Sequence, residues 1–148
     1  MKFLCEVVLN LPISEAVSLY DNVEHLDKWQ TGFVNYEHIS GEQGKAGAKS
    51  KVFFKHNNRD MELIETIVKK DLPEEFTAIY EHKHMVNTMY CHFEKVENDK
   101  TLFQMEIEYT KFIGFMPKLM AFLMPGMFRK QSQKWLDQFK EFAESYEA

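Results

Sequence analysis

Residues 128–146 read FRKQSQKWLDQFKEFAESY, and their period decides the fold. Phe128, Ser132, Trp135, Phe139, Phe142 and Tyr146 recur every three or four residues, and Leu136 and Ala143 widen the stripe. Lys130, Lys134, Asp137, Lys140, Glu141 and Glu144 fill the other side. This spacing predicts a long amphipathic helix with one face for a core. Pro125-Gly126 marks its start or a sharp kink.

Upstream of that helix the period changes to two. Phe33–Ser40, Ala48–His56, Met61–Lys70, Phe76–His84, Met85–Val96 and Leu102–Phe112 read as strands. Gly41–Gly44, Asn57-Asn58, Asp71–Glu74 and Glu97–Lys100 separate them as turns, with Gly47 opening the second strand of this run. Connections this short demand antiparallel pairing, because parallel pairs need long crossovers. Residues 2–9 form a further strand with Phe3, Cys5, Val7 and Leu9 on its buried face. Pro12 stops it, and Ser14 or Asn10 caps a short helix bearing Val17, Leu19 and Tyr20. A second short helix runs from Val23 to Lys28, with Trp29 where the chain leaves it and Thr31-Gly32 ending the unit. The expected architecture is α+β. About seven antiparallel strands curve around the C-terminal helix, the one element large enough to cover their inner face. A curved sheet wrapped on one helix leaves a cavity between them.

The 148 residues read as one domain, 1–148, long enough for a hydrophobic core. The net charge of -5 argues against a nucleic-acid partner, which would call for a basic face. The opening MKFLCEVVLNLP is interrupted by Glu6 and lacks a small-residue cleavage site, so it reads as a strand rather than a leader. The two cysteines, Cys5 and Cys91, lie in alternating apolar segments and read as buried free thiols, consistent with a cytoplasmic location. The Met-rich stretch 112–128, FIGFMPKLMAFLMPGMF, is too short for a membrane span and is broken by Pro117, Lys118, Pro125 and Gly126. It reads as the lid and wall of an apolar cavity, since methionine adapts to varied apolar partners. No integral membrane association is expected.

This order of elements resembles the helix-grip fold of the START-like proteins, the SRPBCC superfamily. That superfamily includes the birch pollen allergen family, lipid-transfer START domains and polyketide cyclase/dehydrase-like proteins. The stretch LPISEAVSLYDNVEHLDKW, with Pro12, Val17, Asp21 and Trp29, is similar to the superfamily's opening. GEQGKAGAKSKVFF, with Gly47, resembles its glycine-bearing hairpin, and WLDQFKEFAE, with Leu136 and Phe139, its closing helix. The resemblance spans nearly the whole chain and implies a pocket gate at 112–128. It does not identify a ligand, because one scaffold hosts many functions.

Tyr80, His82 and His84 read as one inward strand face, opposite Ile79, Glu81 and Lys83. An H-x-H pair needs a third converging ligand to hold a metal, and His92 falls on the outward set with Tyr90 and Glu94; no metal or other cofactor is expected. Glu65 is buried if Leu63 and Ile67 face inward, and solvated if Ile64, Thr66 and Val68 do; the second phase avoids burying a charge and is favoured. Ser132 offers a small hydroxyl on the core stripe. There is no G-x-S-x-G elbow and no phosphate-binding glycine loop. Lys45, Lys49, Lys51 and Lys55 read as a solvated face. The candidate ligand contacts are polar at Tyr80, His82, His84, Asn87, Tyr109 and Ser132, and apolar at Met89, Met116, Met120, Leu123, Met124, Met127 and Phe128. The expected function is binding or transport of a hydrophobic or amphipathic small molecule, lipid-like or polycyclic. The alternatives are a cyclase-like enzyme using a cavity histidine as acid and base, and a protein-interaction module with 112–128 as its docking patch. Oligomeric state is open.

Overall fold

A computed structural model describes residues 1–146. The elements are β1 (Lys2–Leu9), α1 (Ile13–Tyr20), a 3-10 turn (Val23–His25), α2 (Leu26–Trp29), β2 (Phe33–Ser40), β3 (Lys49–His56), β4 (Arg59–Asp71), β5 (Glu75–Glu81), β6 (Met85–Glu97), β7 (Lys100–Phe112), α3 (Phe115–Leu123) and α4 (Gly126–Ser145). The seven strands form one antiparallel sheet in the order β1-β7-β6-β5-β4-β3-β2. This is the helix-grip arrangement that the two periods imply. Register shifts in β2, β4 and β6 bend the strands, as an extra residue on one side of a ladder does.

Local chemistry sets the turns. Asn57 and Asn58 have φ of 50° and 63°, the left-handed pair that a tight hairpin needs. Gly41 sits at φ 77°, and a Cβ there would lie 2.9 Å from the Ala48 Cα, so the loop closes only on glycine. Neither Ser14 nor Asn10 caps α1. Pro12 stands at the cap, its carbonyl accepting from the Glu15 and Ala16 N–H groups. Asn10 is engaged elsewhere, its N–H donating to Glu144 at 2.7 Å. Trp29 lies inside α2 rather than beyond it.

One end of the sheet is solid. Tyr20 sits against Trp29, Phe76, Phe93, Phe103 and Phe139, with ring centroids 5.1–6.4 Å apart. Leu9, Leu136 and Ala143 complete this core. Helix α4 packs most closely on β1. Its side chains satisfy the free backbone edge of that strand: Gln133 bonds the Glu6 N–H and carbonyl at 3.3 and 3.0 Å, and Lys140 Nζ donates to the Val8 carbonyl at 2.5 Å. On its other flank Trp135 stacks on Phe54 of β3 at 5.6 Å and donates to the Thr31 carbonyl at 3.1 Å. The helix is therefore held along both sides, over a hollow.

Candidate functional site

The hollow between α4 and the sheet is a cavity of about 1190 Å³, somewhat larger than the usual small-molecule pocket. Its floor is built by strand alternation. Val52 pairs with Leu63, and Ile67, Ala78, Met89 and Ile107 stand opposite one another across four strands. Six of the chain's nine methionines line it: Met61, Met85, Met89, Met105, Met120 and Met127. Phe54, Phe76, Phe128, Trp135 and Leu136 add aromatic and aliphatic wall. A pocket with this lining takes up ligand chiefly by removing apolar surface from water.

One row of the floor is polar. The register sets Ser50 opposite Glu65, Glu65 opposite Tyr80, Tyr80 opposite Asn87, and Asn87 opposite Tyr109. Tyr80 donates to Glu65 Oε2 at 2.7 Å, and Tyr36 of β2 donates to Oε1 at 3.4 Å. Burial raises the Glu65 carboxyl above its ordinary value, while these two hydroxyls and the charge of Lys70 pull it back. Lys70 Nζ itself sits on Asp21 at 2.7 Å. Burial also holds Tyr80 well above the ordinary phenol range, with the negative charge of Glu65 adding to it, and burial pushes Tyr109 up to about 12. Both therefore stay protonated at neutral pH.

The inward phase of β4 is thus Met61, Leu63, Glu65 and Ile67, the reverse of the phase favoured by charge avoidance alone. The two tyrosines make burial of the carboxyl tolerable.

Of the residues singled out from the sequence, Tyr80, His82, Asn87, Met89, Tyr109, Met120, Met127, Phe128 and Ser132 line the cavity. His84, Met116, Leu123 and Met124 do not. His84 leaves the site because β5 ends at Glu81. His82 and Met85 exchange backbone hydrogen bonds at 2.9 and 3.3 Å, closing a tight turn that carries Lys83 and His84 outward. His82 stands in that turn rather than on a strand face, its Nδ1 accepting from the His84 N–H at 3.2 Å. Met116 and Leu123 of α3 are 60% and 63% exposed, and Met124 follows the helix on the surface. Of the α3 residues, Met120 lines the cavity. The sequence reading missed Tyr36, Met61, Met85 and Met105, and it weighed Glu65 but favoured the solvated phase. Met105 was discoverable as an inward position of its alternating strand; the polar cluster was not, because it joins three strands.

Cys5 and Cys91 are buried and free, and burial lifts the Cys91 thiol to about 12, far from a reactive thiolate. Among the described residues, no three His, Cys, Asp or Glu side chains converge on a metal-binding point. No described helix is long and apolar enough to cross a membrane.

No family model and no curated protein matches the chain. Solved structures do match. The Zhui aromatase/cyclase from Streptomyces sp. R1128 superposes with a TM-score of 0.81 at 8% identity, over 97% of this chain and 93% of that one. TTHA0849 from Thermus thermophilus gives 0.78 at 14% identity, over 97% of both chains. Ara h 8.0201 gives 0.72 at 12% identity, over 99% of both. At such identities the likeness carries the fold and nothing finer, and the chain is accordingly similar to an aromatase/cyclase and to a birch pollen allergen-like protein in one respect, the helix-grip scaffold that encloses this cavity.

Proposed function

We propose that the protein binds a hydrophobic or amphipathic small molecule between the sheet and α4, with α3 as the gate. The observation that carries this is the cavity itself: about 1190 Å³, with methionine and aromatic side chains in its wall, a polar row across its floor, and charged residues such as Arg59, Lys70 and Lys134 also in its lining. Burying ligand surface there contributes roughly 25 cal/mol per Å², before ordering costs are subtracted. The polar row, including Tyr80, Asn87 and Tyr109, orients the ligand, and Met120, Met127 and Phe128 close over it.

Native mass spectrometry of the purified protein, followed by denaturing extraction, tests this. The expected result is a co-purified apolar molecule, or saturable uptake of N-phenyl-1-naphthylamine by the apo protein. Met120→Asp with Met127→Asp should weaken that uptake by at least about tenfold, since charges then line the apolar wall. Met124→Asp, on the surface, should leave it unchanged. A folded Met120→Asp, Met127→Asp variant with full affinity would sink the assignment. A cyclase-like reading has less behind it: His84 lies outside the cavity and the His82 ring is tied to the turn.

A further inference from the structure

The hydrogen-bond inventory of the polar row is unbalanced. Tyr80 gives its one hydroxyl proton to Glu65 at 2.7 Å, and Tyr36, with the Ser50 hydroxyl beside it, makes a longer contact of 3.4 Å to the other carboxyl oxygen. What remains around the carboxyl is lone pairs: those of the two phenol oxygens and those of the carboxyl oxygens not used by the tyrosines. No Lys, Arg or His side chain forms an ion pair with Glu65 among the described residues, and Lys70 is engaged with Asp21. The rungs on either side are apolar, Val52 with Leu63 and Ile67 with Ala78. With Lys70 acting on it only at a distance and the Ser50 hydroxyl beside Tyr36, the cluster still has more lone pairs than donors and no cation paired with it.

We propose that the cavity selects amphiphiles that carry a protonated amine, held at Glu65 with Tyr36 and Tyr80. An ammonium group brings up to three donors and one positive charge, matching the three acceptor groups at that point. An alcohol brings one donor and no charge. A carboxylate brings neither and meets like charge. The ranking is therefore amine over alcohol over carboxylate, for the same alkyl chain. This rests on the ligand-binding reading above and specifies its polar end.

The test is displacement of N-phenyl-1-naphthylamine by decylamine, decanol and decanoate at neutral pH. Decylamine should compete at a concentration at least about tenfold below decanoate, with decanol between them. In Glu65→Gln, checked for folding by circular dichroism, the gap between decylamine and decanoate should collapse while decanol is unchanged. Decanoate competing as well as decylamine in the wild-type protein overturns the proposal without needing a variant. So does an amine preference that survives Glu65→Gln. If the naphthylamine binds and decanol displaces it, the ligand-binding reading stands whichever way the amine falls. If nothing binds, both fail.

Discussion

Glu65 shows how a single carboxyl can be carried on an apolar floor. Its neighbours include Tyr36 on β2, Ser50 on β3, Tyr80 on β5 and, by charge alone, Lys70 further along β4 and Tyr20 on α1. Because its folded-state value lies above the ordinary 4.5, the folded protein holds this proton more tightly than the unfolded chain. Its contribution to stability therefore falls as pH rises through the interval above 4.5. The Tm of Glu65→Gln minus that of the wild type should increase from pH 5 to pH 8, measured by calorimetry; a difference that stays flat would mean the carboxyl is solvated. The phase of β4 was not legible because the partners of Glu65 lie 15 and 29 residues away, beyond what one strand's alternation reveals. His82 and His84 misled for a related reason. Their alternation continues that of β5, yet the two-residue turn of Lys83 and His84 needs those positions.

The elements differ in how openly their sequence declares them. Helix α4 was readable from its stripe, and Leu136, Phe139 and Ala143 are buried as that stripe requires. Helix α3 was not, because a run that is apolar on all sides has no periodic face to read. The same uniformity leaves Phe115 and Phe122 75% and 82% exposed. With nine residues, no side-chain cap and Gly114 at φ 96° before it, α3 has little to hold it by itself, since helices this short are marginal alone. Amide hydrogen exchange should be much faster across 115–123 than across 132–143, as a gate requires. Equal protection in both would argue against opening there. Substitution should follow the same division: Phe139→Ala should destabilise by about 3–5 kcal/mol, and Phe122→Ser by no more than about 0.5 kcal/mol, in urea unfolding.

Taken whole, the molecule has a packed end around Tyr20 and a hollow end beneath α3, and α4 belongs to both. The general architecture was legible because strand period, turn chemistry and one amphipathic helix leave few ways to build a core. The order of the sheet has a further consequence, which concerns synthesis rather than the finished fold. Strand β1 precedes the other strands, but among the described residues its only sheet partner is β7, where Leu9 meets Thr101 and Lys2 meets Glu108. At a ribosomal pace of about 5–20 residues per second, that partner emerges on the order of 5–20 seconds later. Until then Phe3, Cys5, Val7 and Leu9 have no sheet to join, and the α4 side chains that cover the strand's edge come later still. Ribosome-stalled chains ending before residue 100 should be cut by protease within 2–9, and chains long enough to expose α4 beyond the exit tunnel should resist.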